Sequence, residues 1–288
     1  MKLFLYLILS GAKAVTLRPA VQEASGGGEH IYYLGVGSNL LKSKLFNRGL
    51  NGTTIDVLSF EPAIVYDHRL AFNMKGFPFI ESAMGGIEPC INQQCHGSLA
   101  KLTLAEYEKV WASEGGLRPN PGYMELVIDA YPYNSTIPVK AIVLRTAPHR
   151  RLSKDAAPSE RYLNIIKQGA KELGLHNEYQ LKLSQIIPEK VSPIIRTVFN
   201  YNSILSAILT KHTPINRYAF FIADILWVVY TPPTSHIVHR FISQFLSVII
   251  MTPGMCLGFV CKLTYTVRGK KPPSIFGAPP PPKLKVAL

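Results

Sequence analysis

The stretch Tyr33-Leu34-Gly35-Val36-Gly37-Ser38-Asn39-Leu40 decides the fold of this chain. Residues 31–34 are β-branched, aromatic or apolar, which predicts a buried strand. Gly35 and Gly37 follow at once and allow a tight turn whose backbone can approach a ligand closely. Successive N–H groups in such a turn bind a carboxylate as readily as a phosphate. Because Leu40 stands where a third glycine would be needed, the turn does not match a dinucleotide-binding fingerprint.

Further strand-like runs follow this turn and are separated by Gly, Pro and Asn residues that favour turns. We expect strands at Ile55–Leu58, Ala63–Phe72, Gly97–Leu102, Tyr123–Tyr131 and Val139–Leu144. Most strands precede the helices, and there is no regular βαβ alternation. This order predicts a mixed α/β (α+β) fold, in which helices pack outside a small mixed β-barrel.

Capping residues predict three helices after the first strands. Thr103 and Glu106 have the spacing of a capping box, in which each side chain can accept a backbone N–H group of the first turn. The helix that they open ends at Gly115. Ser159 and Asn177 are expected to cap the second and third helices in the same region of the chain.

Motifs in four parts of the chain, taken in order, resemble the γ-glutamyl cyclotransferase family. The turn keeps the family's Gly-Ser-Asn-Leu at residues 37–40, while Val36 replaces the preceding Tyr. The other matches are Cys95-His96-Gly97-Ser98-Leu99, Trp111-Ala112-Ser113-Glu114-Gly115, and the helical segments at residues 158–162 and 169–179. The resemblance covers about residues 31–187 and does not reach residues 200–288.

This resemblance implies a substrate site. The γ-glutamyl group would lie in a cradle of backbone N–H groups formed by Tyr33, Leu34, Gly35, Val36, Gly37 and Ser38. Glu114 corresponds to the family's catalytic carboxylate, and Tyr123 matches another family position. Val143 stands where relatives often present a substrate-contacting Tyr, a departure that bears on substrate affinity and choice.

The implied enzyme converts a γ-glutamyl amino acid into 5-oxoproline and the free amino acid, formally as a carbon–nitrogen lyase. One carboxylate can take the proton of the attacking α-amine and return it to the leaving nitrogen. No metal or other cofactor is needed, and Cys90, Cys95 and His96 lack the spacing of a zinc site. The alternative substrates are γ-glutamylamines and glutathione.

A second hypothesis is a non-enzymatic, membrane-tethered module of the same fold that binds γ-glutamyl groups or carboxylates. Three departures from the family favour it, namely Val36, Val143 and the apolar tail that follows residue 200. Ligand binding without formation of 5-oxoproline would distinguish this module from the enzyme.

The net charge of +13 does not indicate nucleic-acid binding. Residues 1–181 contain 19 basic and 16 acidic side chains, whereas residues 182–288 contain 12 basic and two acidic ones. The basic residues of the last third are scattered or flank apolar runs, which suits a membrane surface better than a nucleic-acid groove. We therefore expect a small-molecule substrate and no nucleic-acid partner, and the sequence gives no indication of the oligomeric state.

Both ends of the chain carry apolar segments. Residues 1–15 predict a secretory signal peptide, with a buried first strand as the alternative, and residues 16–30 predict a flexible lead. Residues 201–270 are hydrophobic and are expected to associate with a membrane, because residues 241–261 lack charge and can span a bilayer. A buried helix or hairpin is the alternative, since Pro253-Gly254 interrupts that run.

These segments lead to an expected domain order and location. A γ-glutamyl cyclotransferase domain over residues 31–200 precedes the hydrophobic segment, and residues 271–288 form a Pro-rich tail. The expected location is the secretory pathway or a membrane anchor, with the cytoplasm as the alternative.

Membrane tethering through residues 201–270 predicts a difference in solubility. A chain that ends at residue 200 is expected to stay in the supernatant without detergent, because it lacks the apolar segment, whereas the full chain sediments with membranes. Ultracentrifugation of both chains, expressed under the same conditions, measures this. Equal solubility of the two chains without detergent would contradict the tether.

Overall fold

The computed structural model describes residues 17–49, 53–76 and 81–189. These residues form a closed barrel of five strands in the order β1-β3-β2-β4-β5. The strands are β1 (His30–Gly35), β2 (Ser59–Lys75), β3 (Ala83–Thr103), β4 (Tyr123–Pro132) and β5 (Val139–Thr146). The α-helices in the described ranges are α1 (Pro19–Ser25), α2 (Lys42–Phe46), α3 (Leu104–Ser113), α4 (Glu160–Glu172) and α5 (Asn177–Gln185). The predicted barrel with flanking helices is confirmed.

Strand β1 pairs with two other strands, in opposite orientations. It runs antiparallel to β3, so that Gly35 lies opposite Ser98. It runs parallel to β5, so that Leu34 lies opposite Val143. The sheet is therefore mixed, as the sequence predicted. Leu34 and Val143 are both buried.

The described residues divide into two compact units. The first unit holds α1, α2, α3, β1 and β4, and the second holds α4 and α5. Strands β2, β3 and β5 contribute residues to both units. Within the second unit, the ring of Tyr162 in α4 meets that of Phe72 edge to face at 6.4 Å, and its hydroxyl accepts the N–H of Gly85 at 3.0 Å.

The hydroxyl caps of α3 and α4 are those predicted from the sequence. Thr103 Oγ1 accepts the N–H of Glu106 at 3.2 Å, which satisfies one donor of the first turn of α3. Ser159 Oγ accepts the N–H of Tyr162 at 3.1 Å in the same way. Ser159 Oγ also donates to the buried carboxylate of Glu81 at 2.6 Å, so this cap joins α4 to the segment before β3.

Other local predictions differ from the structure. The carboxylate of Glu106 accepts the N–H of Asp56 at 3.1 Å, where the capping box would have it reach back to residue 103. Asn177 does not cap α5, because that helix begins at this residue and His176 precedes it without a capping side-chain bond. The run Ile55–Leu58 is not a strand. The N–H of Ile55 donates to the carbonyl of Phe46, the last residue of α2, at 2.8 Å.

The lead that the sequence predicted as flexible over residues 16–30 contains α1. Pro19 stands at the first helical position, where its missing N–H costs nothing. Gly26 ends the helix with a left-handed φ of 56°, which glycine adopts without strain. Val21 of this helix is buried. The Gly-rich composition of residues 26–28 suggested flexibility, but it marks the end of a helix.

Several sequence predictions lie outside the described residues. They are the signal peptide at residues 1–15, the hydrophobic segment at residues 201–270 with its uncharged run 241–261, and the Pro-rich tail at residues 271–288. Within the ranges that the structure covers, no helix has both the length and the apolar character needed to cross a bilayer.

The Ser159 cap predicts a measurable loss of stability. Replacing Ser159 by Ala removes a capping acceptor and leaves buried Glu81 without one donor, so the free energy of unfolding should fall by about 2–3 kcal/mol. Urea unfolding measures this. Ser184→Ala is the matched control, because Ser184 bonds only the carbonyl of Leu181 on the exposed side of α5, and its effect should stay within about 0.5 kcal/mol. Equal effects of the two substitutions would contradict the cap.

Candidate active site

The turn after β1 is folded tightly onto β3. Ser98 Oγ lies 3.0 Å from the carbonyl oxygen of Asn39 and 3.3 Å from that of Gly35, and donates to them. A Cβ atom at Gly35 would lie 2.7 Å from Ser98 Oγ and 3.0 Å from the backbone of Asn39. Such distances are too short for any side chain, so Gly35 is required for the packing of the turn itself. The predicted role of Gly35, close approach of backbone, therefore applies first to the protein's own chain.

Glu114 lies at the carboxyl end of α3, where the backbone geometry is closely defined. The N–H of Gly116 donates to the carbonyl of Trp111 at 2.9 Å, and that of Gly115 to the carbonyl of Ala112 at 3.0 Å. This pair of bonds is a Schellman motif, and Gly115 has the left-handed φ of 78° that the motif requires. A Cβ at Gly116 would fall inside the Trp111 ring, 1.9 Å from its nearest atom. The Glu-Gly-Gly sequence thus fixes where the Glu114 side chain leaves the helix.

The side chain of Asn39 connects Glu114 to the turn. Its Nδ2 donates to Glu114 Oε1 at 2.9 Å and to the hydroxyl oxygen of Tyr33 at 2.8 Å. Its Oδ1 accepts from Nε of Arg48. Asn39 is buried, with 4% of its surface exposed, so all three side-chain bonds replace bonds to water.

Arg48 places a positive charge beside the carboxylate of Glu114. Its Nη2 lies 2.9 Å from Glu114 Oε1 and 3.1 Å from Ser38 Oγ. The side chains of Arg48 and Glu114 are 22% and 14% exposed, so solvent screens the pair only in part. We call Tyr33, Ser38, Asn39, Arg48 and Glu114 the carboxylate cluster. It joins the turn after β1 to the end of α3.

A second group of side chains contacts α3. The guanidinium of Arg18 forms two bonds with the Glu125 carboxylate, at 2.8 and 2.9 Å, and one with Glu108 at 2.9 Å. It also lies 5.1 Å from the ring centroid of Trp111. Burial opposes the charge of Arg18, but the hydrogen bonds that Arg18 donates to Glu125 and Glu108 outweigh it and raise the pKa of Arg18 above its usual value.

Tyr107 completes this group. Its hydroxyl donates to Glu125 Oε1 at 2.8 Å, and its ring lies 6.0 Å from that of Tyr33. Burial first, and then the adjacent carboxylate of Glu125, raise the pKa of Tyr107, so its hydroxyl remains a donor. The contact between the two rings links the group around Arg18 to the carboxylate cluster.

The residues predicted to contact the substrate differ in how far they are buried. Tyr33, Leu34 and Val36 are buried as whole residues, whereas Gly37 and Ser38 are partly exposed. Tyr123 is the first residue of β4 and is 9% exposed. Val143 is fully buried opposite Leu34. Contact of Tyr123, Val143 or the cradle, including Gly37, with a substrate stays a prediction.

Asn39 and Arg48 were not among the residues predicted for the site. Asn39 stands inside the Gly-Ser-Asn-Leu motif, so its position in the motif could have indicated it. Arg48 lies in no motif, and its contact with Glu114 joins residues that are far apart in the sequence. Only the fold reveals that it belongs to the cluster.

Curated relatives share sequence with this chain. The γ-glutamyl cyclotransferase gliK of Claviceps purpurea is 30% identical over 138 residues, which are 44% of this chain. The γ-glutamyl cyclotransferase gliK of Aspergillus fumigatus is 27% identical over 176 residues, which are 54% of this chain. These similarities support a γ-glutamyl cyclotransferase-like family for this chain.

The chain matches these relatives over part of their length. It spans about three fifths of them, 59% of the Claviceps protein and 60% of the Aspergillus protein. A solved structure of a γ-glutamyl cyclotransferase aligns with 59% of this chain and 98% of its own, at 23% identity and a TM-score of 0.47. No family model matches the sequence.

The bond from Asn39 to Tyr33 gives a test of the carboxylate cluster. Tyr33→Phe removes the hydroxyl that accepts from buried Asn39, so the free energy of unfolding should fall by about 1–3 kcal/mol. Tyr32→Phe is the control, because it makes the same change at the next residue of β1, whose side chain is less buried. Its effect should stay within about 0.5 kcal/mol. Chemical denaturation measures both, and a Tyr33→Phe protein as stable as the control would contradict the geometry.

Proposed function

We propose that this chain is a γ-glutamyl cyclotransferase that converts γ-glutamyl amino acids into 5-oxoproline and the free amino acid. The observation that carries the proposal is the carboxylate cluster, in which Glu114 contacts Asn39 and Arg48 beside the turn after β1. A general acid/base must lie next to the group that it protonates. A substrate bound along the turn would place its α-amine near this carboxylate.

The reaction needs only proton transfer and orientation. The α-ammonium group of the substrate gives a proton to Glu114, and the resulting amine attacks the γ-carbonyl carbon of the same molecule. A nitrogen–carbon bond forms, the bond to the leaving nitrogen breaks, and both protons lost by the α-nitrogen end on the leaving amine. The carboxylate finishes in the state in which it began, so one Glu is sufficient.

Orientation of the substrate is the second requirement. A γ-glutamyl chain is flexible, and its amine must fold back towards its own carbonyl group before it can react. Holding the chain in that shape can supply several kcal/mol. We propose that backbone N–H groups of the turn from Gly35 to Ser38 serve this purpose, and within this turn Gly37 and Ser38 are the partly exposed residues.

The leaving amine is the finer part of the proposal. We favour γ-glutamyl amino acids because the turn ends in Ser38-Asn39-Leu40, which resembles the general branch of the family. The γ-glutamylamines, among them ε-(γ-glutamyl)-lysine, and glutathione are the alternatives. Val143 lies opposite Leu34, one pairing position from Tyr33, and we propose it as a residue that influences this choice.

Loss of the carboxylate should stop the reaction. Glu114→Gln keeps the size of the side chain but cannot accept a proton, so kcat should fall by at least ~10²-fold. The measurement is release of 5-oxoproline from a panel of γ-glutamyl compounds. Glu178→Gln is the matched control, because it makes the same change at an exposed position in the first turn of α5, and it should leave activity unchanged.

Two outcomes would reject this assignment. Near-normal 5-oxoproline release by the Glu114→Gln protein would exclude Glu114 as the acid/base. A wild-type chain that binds γ-glutamyl compounds in calorimetry but releases no 5-oxoproline from any of them would select the non-enzymatic binding module.

A further inference from the structure

The two oxygens of the Glu114 carboxylate are in different surroundings. Oε1 accepts two hydrogen bonds, from Nδ2 of Asn39 and from Nη2 of Arg48, both at 2.9 Å. Within the described part of the chain, Oε2 has no hydrogen-bond partner. A carboxylate held through one oxygen keeps a fixed orientation while the other oxygen remains available.

Arg48 is held by protein groups on several sides. Its Nε donates to Asn39 Oδ1, and its Nη2 reaches both Ser38 Oγ and Glu114 Oε1. The planar guanidinium therefore links three residues of the carboxylate cluster at once, which a lysine ammonium cannot do with the same fixed geometry. These contacts direct Nε and Nη2 of Arg48 towards the protein, whereas a residue that recognises substrate would direct its donors towards the ligand.

We propose that Arg48 is a positioning residue that, together with Asn39, holds Oε1 of Glu114 and assigns the proton transfers to Oε2. The inference rests on the proposed cyclotransferase function. In each turnover, the α-nitrogen loses two protons as the freed amine closes the lactam ring, and Oε2 takes them one at a time and passes each to the leaving nitrogen. No other reactant is consumed.

This assignment separates catalysis from substrate affinity. Without Arg48, the Glu114 side chain can rotate, and Oε2 spends less time facing the α-amine. An error of about 1 Å in the position of a catalytic group can lower a rate by about 10²-fold. Because the substrate itself would still be bound by the backbone of the turn, its affinity should change little.

The test uses two variants of the full chain and one control. Arg48→Met keeps the length of the side chain but removes its donors, and it should lower kcat by about 10²-fold while KM changes by less than about threefold. Arg48→Lys keeps the charge but not the fork of donors, and it should recover part of kcat. Arg151→Met, at an exposed position in the second unit, should leave both constants unchanged.

Binding of 5-oxoproline gives a readout that does not depend on turnover. The product carries the same carboxylate as the substrate, so its Kd should be equal, within about threefold, in the wild-type and Arg48 variants if Arg48 only positions Glu114. Thermal unfolding of each variant shows whether it is folded. If Arg48→Met does not fold, the comparison is made with Arg48→Lys.

Each remaining outcome overturns the proposal. A large rise in KM and in the Kd of 5-oxoproline, with kcat retained, would make Arg48 a ligand of the substrate carboxylate. Unchanged kinetics would show that Glu114 does not need it, and failure of both variants to fold would make Arg48 structural only. If the wild-type chain releases no 5-oxoproline, the proposed function itself has failed, which is distinguishable from all of these results.

Discussion

The amide of Asn39 is the constraint on which the candidate site depends. Its two N–H groups and its oxygen bond Tyr33, Glu114 and Arg48, and its backbone carbonyl accepts from Ser98. Because Asn39 is buried, losing any of these bonds would leave a polar group without water to replace its partner, at a cost of about 1–3 kcal/mol. A strand, a turn and a helix end are therefore fixed relative to one another by one short side chain.

Prediction from sequence was most accurate where the deciding chemistry is local. Strand β1, the Thr103 and Ser159 caps and the end of α3 at Gly115 each depend on residues within a few positions of one another. The mixed barrel followed from the order of such elements. Helix α1 was not predicted, because the residue that anchors its first turn contacts a part of the chain that is distant in sequence. Arg18 bonds Glu125, 107 residues away, and composition near residue 26 gives no sign of that contact.

The site was predictable only in part for the same reason. Glu114 and the turn could be named because each lies in a motif that the family resemblance supplies. Their contact runs through Asn39 and Arg48, and the bond from Asn39 to Glu114 spans 75 residues. Arg48 carries no local signal, since a single Arg after a short helix is common on protein surfaces. Its role depends on the fold, which brings it to the carboxylate.

The carboxylate cluster also has an energetic cost that needs a reason. The carboxyl end of α3 bears partial negative charge, so a second negative group there is unfavourable unless it is neutralised. Arg48 and the amide of Asn39 supply the neutralising donors, but taking an ion pair partly out of water offsets much of that gain. Apolar side chains of similar size would often be as stable at such a place. A polar cluster at a place where stability does not require one is typical of a functional site, and the available Oε2 of Glu114 gives this cluster a chemical use.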